Sequence, residues 1–136
     1  MDIFAAGSRP TLRARSEWFT GTVWQDPVIE APAPARVRVL RVSFEPGART
    51  AWHRHPLGQT LHVTEGCGLI GLRDQPPRVI RPGDTVWIPP EEQHWHGAGP
   101  ETGMVHIAIQ EAGEDGATAT WLDHVTDAEY GADPTG

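Results

Sequence analysis

Two histidines separated by one residue, His53 and His55, limit what this chain can fold into more than any other feature. On a helix, side chains at i and i+2 diverge by roughly 200°, whereas on a strand they share a face. The pair therefore predicts extended backbone with both rings turned into one cavity. Gln59 follows, and His94 offers a fourth donor further along. The group His53, His55, Gln59 and His94 reads as a metal site of three imidazoles and one carboxamide. HExxH and zinc-finger spacings are absent, and the lone Cys67 excludes thiolate-rich sites. An alternative lets Gln59 merely hydrogen-bond while three histidines hold structural zinc. It fits less well, because closed structural zinc normally completes four ligands with cysteines.

Composition removes several classes of chemistry. Lysine is absent, which eliminates Schiff-base mechanisms, pyridoxal phosphate chemistry included. The net charge is −7 with no basic cluster, so phosphate contacts would release no counterions and nucleic acid is not an expected partner. One cysteine cannot form an internal disulfide, which fits a reducing compartment. Met1-Asp2-Ile3-Phe4 lacks the basic-then-apolar run of a signal peptide. No stretch approaches the roughly 20 apolar residues of a membrane span. A soluble cytoplasmic protein acting on a small molecule is the expectation, and 136 residues suit one domain with its own core.

Thirteen Pro and fifteen Gly, scattered without period, predict short strands and frequent turns. The first strand read is 37–44, with Leu40, Val42 and Phe44 on one face. Ala51 to His55, Thr60 to Thr64, Gly68 to Leu72, Val79-Ile80, Thr85 to Ile88, Met104 to Gln110 and Trp121-Leu122 follow. Thr126 is positioned to cap one helical turn, Asp127 to Tyr130. An all-β sandwich or barrel is predicted. Its core is expected over about 37–111, with extensions packing on the barrel or on a partner subunit. The outermost stretches, Met1 to Arg15 and Gly131 to Gly136, are expected to be loose.

The spacing Gly47, five residues, His53-x-His55, three residues, Gln59, six residues, Gly66 resembles the first cupin motif at every step. The family usually has Glu where this chain has Gln59. Gly83, five residues, Pro89, then His94 resembles the second motif. There Glu91 replaces the usual Gly and Ala98 the usual Asn, so the turn before His94 is expected to be built differently. The 16 residues between Gly66 and Gly83 imply a compact hairpin. The resemblance implies a double-sheet jelly-roll barrel. Trp18 to Val23, Phe44 to His53, His55 to Leu61, His94 to Ala98, His106 to Glu111 and His124 to Asp127 further resemble the small manganese-dependent cupin hydroxynitrile lyases.

Four neutral ligands would leave the full charge of a divalent ion uncompensated, favouring anionic ligands such as alkoxide or cyanide. Nitrogen and oxygen donors suit Mn, Fe, Ni or Zn; the resemblance implies Mn. His96, two residues beyond His94, shares its cavity side and suits a general base. His106, Ala108 and Gln110 alternate with Val105, Ile107 and Ile109, and periodicity alone allows either row to face inward. The lyase resemblance implies that His106 and Gln110 line the pocket, receiving or orienting cyanide. Thr50 is a further candidate donor to an oxyanion, and Trp52, Trp87 and Trp95 are candidate cavity walls. Leu40, Val42 and Phe44 are a candidate pocket floor. His62, His124, Cys67 and the carboxylates read as surface or packing residues. The resemblance implies a carbon–carbon lyase acting on cyanohydrins. An oxygen-dependent enzyme and a non-catalytic ligand-binding barrel are the competing classes. Valine-rich outward faces predict a homodimer or homotetramer.

Overall fold

Alternation sets the architecture. In the strand Met104–Glu111, Met104, His106, Ala108 and Gln110 are buried, while Val105, Ile107 and Ile109 are partly covered or exposed. Such period-two burial is what one face on a core and one outward face require. The computed structural model describes residues 1–136.

Two sheets curl around one core. The first runs in the order β1 (Leu12–Arg13), β3 (Val23–Glu30), β4 (Val37–Phe44), β12 (Met104–Glu111), β7 (Gln59–Gly66), β10 (Thr85–Ile88). The second runs β13 (Thr120–Trp121), β6 (His53–Arg54), β11 (His94–Ala98), β5 (Arg49–Thr50), β2 (Phe19–Thr20). In that sheet β8 (Gly68–Leu72) pairs with β11 and forms a hairpin with β9 (Arg78–Ile80). Every named strand pair is antiparallel, and the result is a jelly-roll barrel. The main core joins Val42, Phe44, Leu61, Val63, Ile88, Met104 and Ala108 between the sheets. No helix is long and apolar enough to cross a membrane.

Four local expectations are corrected. β3 is a long strand ahead of Val37; Pro27 hides it in the sequence, and a register shift between Pro27 and Ile29 accommodates the missing donor. Ala51 to His55 is not one strand. Ala51 N–H donates to the Trp18 carbonyl and Trp52 N–H to that of Asp123, which leaves only His53–Arg54 paired in the sheet. Parts of the ends are tied down: Leu12–Arg13 pairs with β3, and Thr135 exchanges backbone hydrogen bonds with Pro77 and Val79, while Met1, Ile3 and Phe4 lie exposed. The one-turn helix α1 (Asp127–Tyr130), capped by Thr126 and Glu129 together, brings Tyr130 against Trp95 on the outer side of β11. Finally, Glu91 adopts the left-handed φ of 67° that a glycine would take, at about 1–2 kcal/mol. Its N–H bonds the His55 carbonyl at 2.8 Å and its carboxylate meets Arg54 at 3.2 Å.

Two motif glycines separate conformation from space. Both Gly47 and Gly66 have positive φ, but a Cβ on Gly47 meets nothing, whereas one on Gly66 would overlap the Gly103 carbonyl. Gly47→Ala should cost about 1 kcal/mol and Gly66→Ala about 3 kcal/mol or more, read from denaturant midpoints. Equal costs would show that Gly66 is selected by φ alone.

Candidate metal centre and its cavity

Strand pairing brings the donors together. β6 and β11 set His53 directly opposite His94, His55 follows β6, and Gln59 opens β7. All four side chains are buried. Ring centroids lie 4.2 Å apart for His53–His94, 5.0 Å for His53–His55 and 5.4 Å for His55–His94.

Backbone carbonyls fix the three tautomers. His53 Nδ1 donates to Ala51 O at 2.9 Å, His55 Nδ1 to Thr118 O at 2.7 Å, and His94 Nδ1 to Glu92 O at 2.9 Å. A carbonyl only accepts, so the proton sits on each Nδ1 and each neutral ring turns a lone pair inward from Nε2. Burial holds all three rings neutral. It lowers His53 first by desolvation and then through the neighbouring His94 and His55; it also lowers His55, and His94 to about 4. His94 Nε2 then lies 3.2 Å from Gln59 Oε1, two acceptors with no proton between them. His55 Nε2 is buried without a partner. Lone pairs on imidazoles braced from behind fit a cation, as braced histidine ligands do generally, but the ring nitrogens that come within 4.8 Å of one another are those of His53, His94 and His96, with His55 outside that group.

His96 and His106 form a second pair in the same cavity. His96 Nδ1 and His106 Nε2 are 2.9 Å apart and share one proton, while His96 Nε2 and His106 Nδ1 have no partner. Burial holds His96 well below the usual imidazole range, reinforced by His106, His53, His94 and His55; burial also lowers His106 to about 4. Phe44 packs edge-on against His96, and the backbone N–H of His96 donates to Thr50 Oγ1 at 3.2 Å, which leaves the hydroxyl proton free. Ring nitrogens of His53, His94 and His96 all fall within 4.8 Å of one another. His96, set apart in the sequence as a base, thus borders the same point as His53 and His94.

The cavity, about 210 Å³, is lined by His53, His55, Gln59, His96, His106 and Gln110 on its polar side. Leu40, Val42 and Ala108 supply an aliphatic wall. Its aromatic wall differs from expectation. Trp52 and Trp95 fill a separate cluster with Leu69 and Val125, and Trp87 is 60% exposed. Instead Trp121 stacks on His53 at 4.6 Å, and Trp18 stacks on Trp121 at 5.2 Å. Nothing local in the sequence marks Trp121; it reaches the site because β13 pairs it with His53. No carboxylate lines the cavity, and its one cationic lining residue is Arg15. His62 and His124 are exposed, and Cys67 is half-buried elsewhere.

The cupin domain family matches residues 40–109, which include the strands of the histidine cluster and most of β12. The chain belongs to the cupin family. It is 53% identical over 130 residues to the (R)-mandelonitrile lyase of Granulicella tundricola, covering 96% of this chain and 98% of that protein. A cupin-like protein from Thermotoga maritima of known crystal structure is 44% identical, with a TM-score of 0.81 and coverage of 96% and 95%. The polyketide cyclase RemF from Streptomyces resistomycificus shares the fold at 18% identity and a TM-score of 0.74, over 96% and 90% of the two chains. The histidine cluster and family membership together point to a divalent metal.

Buried neutral histidines make stability depend on pH. His94 and His106 titrate near 4 when folded and near the ordinary 6.5 when unfolded. Between those values the unfolded chain binds more protons, so stability falls as pH drops from about 6.5 to 4, by up to about 3 kcal/mol per group. Denaturant midpoints of metal-stripped protein across that range check this. A flat profile would contradict the neutral rings.

Proposed function

We propose that this cupin is a hydroxynitrile lyase, cleaving aryl cyanohydrins such as mandelonitrile to aldehyde and HCN, with Mn(II) as its resident ion. The observation that carries the reading is the unpartnered, buried Nε2 of His96 beside the His53 and His94 nitrogens. The 53% identity to a mandelonitrile lyase supports the reaction class. His53, His55, Gln59 and His94 would hold the ion, which supplies Lewis acidity to a hydroxyl oxygen, undiminished by any anionic ligand.

The chain's own residues do the rest. With no carboxylate in the cavity, its bases are imidazoles. His96 Nε2 takes the hydroxyl proton of the cyanohydrin. The carbonyl forms as the bond to the nitrile carbon breaks, and that electron pair leaves with cyanide. The proton returns from the His96–His106 pair to cyanide, which departs as HCN. Neutral His106 favours this return because its depressed proton affinity makes its conjugate acid a ready donor. Trp18, Trp121, Leu40 and Val42 provide an apolar wall sized for one ring, and the cavity is below the volume that drug-sized ligands need. Thr50 keeps one hydroxyl proton to offer to an oxyanion.

Mn-loaded protein should release benzaldehyde from (R)-mandelonitrile at mildly acidic pH without consuming oxygen. His96→Ala should lower kcat about 10²–10⁴-fold while leaving bound metal in place. Mandelonitrile left intact by the loaded protein would end the lyase reading. Substrate-dependent oxygen uptake would assign the cavity to oxygen-dependent chemistry.

A further inference from the structure

Gln59 is an amide, so only one of its two ends can serve a cation. We infer that Gln110 is a positioning residue that fixes which end of Gln59 faces the histidines. This rests on Gln59 as a ligand and not on the reaction, so metal binding tests it even if no cyanohydrin is cleaved.

The direction of the chain follows from its anchor. β12 lies between β4 and β7, and their registers place Arg38, Gln110 and Gln59 in one row across the sheet. The backbone carbonyl of Arg38 is an acceptor that cannot flip. Gln110 must therefore present Nε2 to it, and does so at 3.1 Å. That turns Gln110 Oε1 towards Gln59, where only an N–H can complete the contact, and Gln59 Nε2 donates at 3.0 Å. Gln59 Oε1 is left 3.2 Å from His94 Nε2, facing the cluster. With the Gln59 amide reversed, its oxygen would oppose the Gln110 oxygen and its N–H would meet a cation. Both side chains are buried, at 4% and 8% exposure, so water cannot repair a mismatch cheaply. A family member with Glu at position 59 needs no such anchor, because both carboxylate ends are oxygen.

The decisive measurement is Mn(II) affinity by chelator competition. Gln110→Met, which keeps length but neither accepts nor donates, should bind Mn(II) about 10–100-fold more weakly. Gln110→Glu, which still accepts from Gln59 Nε2 although it loses the donor to the Arg38 carbonyl, should bind more tightly than Gln110→Met. In a Gln59→Glu background, where the Gln110 oxygen faces a carboxylate oxygen and orients nothing, adding Gln110→Met should not weaken Mn(II) binding. Unchanged affinity in Gln110→Met overturns the inference, as does a loss that persists in the Gln59→Glu background. In the wild-type protein, the Gln59 side-chain NH₂ protons should be shielded from solvent exchange; rapid exchange overturns the chain whatever the variants show.

Discussion

Three backbone carbonyls, those of Ala51, Glu92 and Thr118, decide the chemistry at the centre of this barrel. Each removes the choice of tautomer from one histidine by occupying Nδ1. Without them the rings could turn N–H groups inward, and the cavity would be a cluster of donors rather than acceptors. Two of the carbonyls lie two residues before the histidine they serve, so the pleat that aims the ring also braces it. The third comes from the segment after β12, which ties His55 to a part of the chain distant in sequence.

Much of the site was legible because strands have a simple period. The i, i+2 spacing of His53–His55 and of His94–His96 predicts shared faces, and the structure brings all four rings into one cluster. The alternation in 104–110 left two readings open. The structure turns the polar row inward because the registers of β12 align His106 with Val42 and Val63, Ala108 with Leu61 and Gln110 with Gln59, all on the buried face. What escaped the sequence depends on pairing between distant segments. Trp121 is placed by its register against His53, and Trp18 by stacking on Trp121; neither relation has a local signature. Trp52 and Trp95 look equally suited to wall the cavity, but they face away from it. The C-terminal segment covers that side, giving them a cluster of their own.

The same limit applies to the backbone. Pro27 masks β3 because proline normally disqualifies a central strand, yet a bulge near the sheet edge tolerates it. Glu91 hides a glycine-like turn, since a left-handed conformation is seldom read from a glutamate. Here the His55 carbonyl and the Arg54 guanidinium hold that residue in place, so the departure from the family pattern changes the side chain and not the path of the chain.

None of the eighteen Asp and Glu side chains is buried, whereas the barrel buries five histidines, two glutamines and one charged residue, Arg49, which pairs with Asp127. The net charge of −7 repels an anion at long range, screened over about 8 Å at physiological ionic strength, while at the cavity itself the one charged lining residue is Arg15. An uncharged solute feels no such barrier. Net charge thus makes the long-range approach of anions slower in dilute buffer than in concentrated salt, and leaves that of neutral molecules independent of ionic strength.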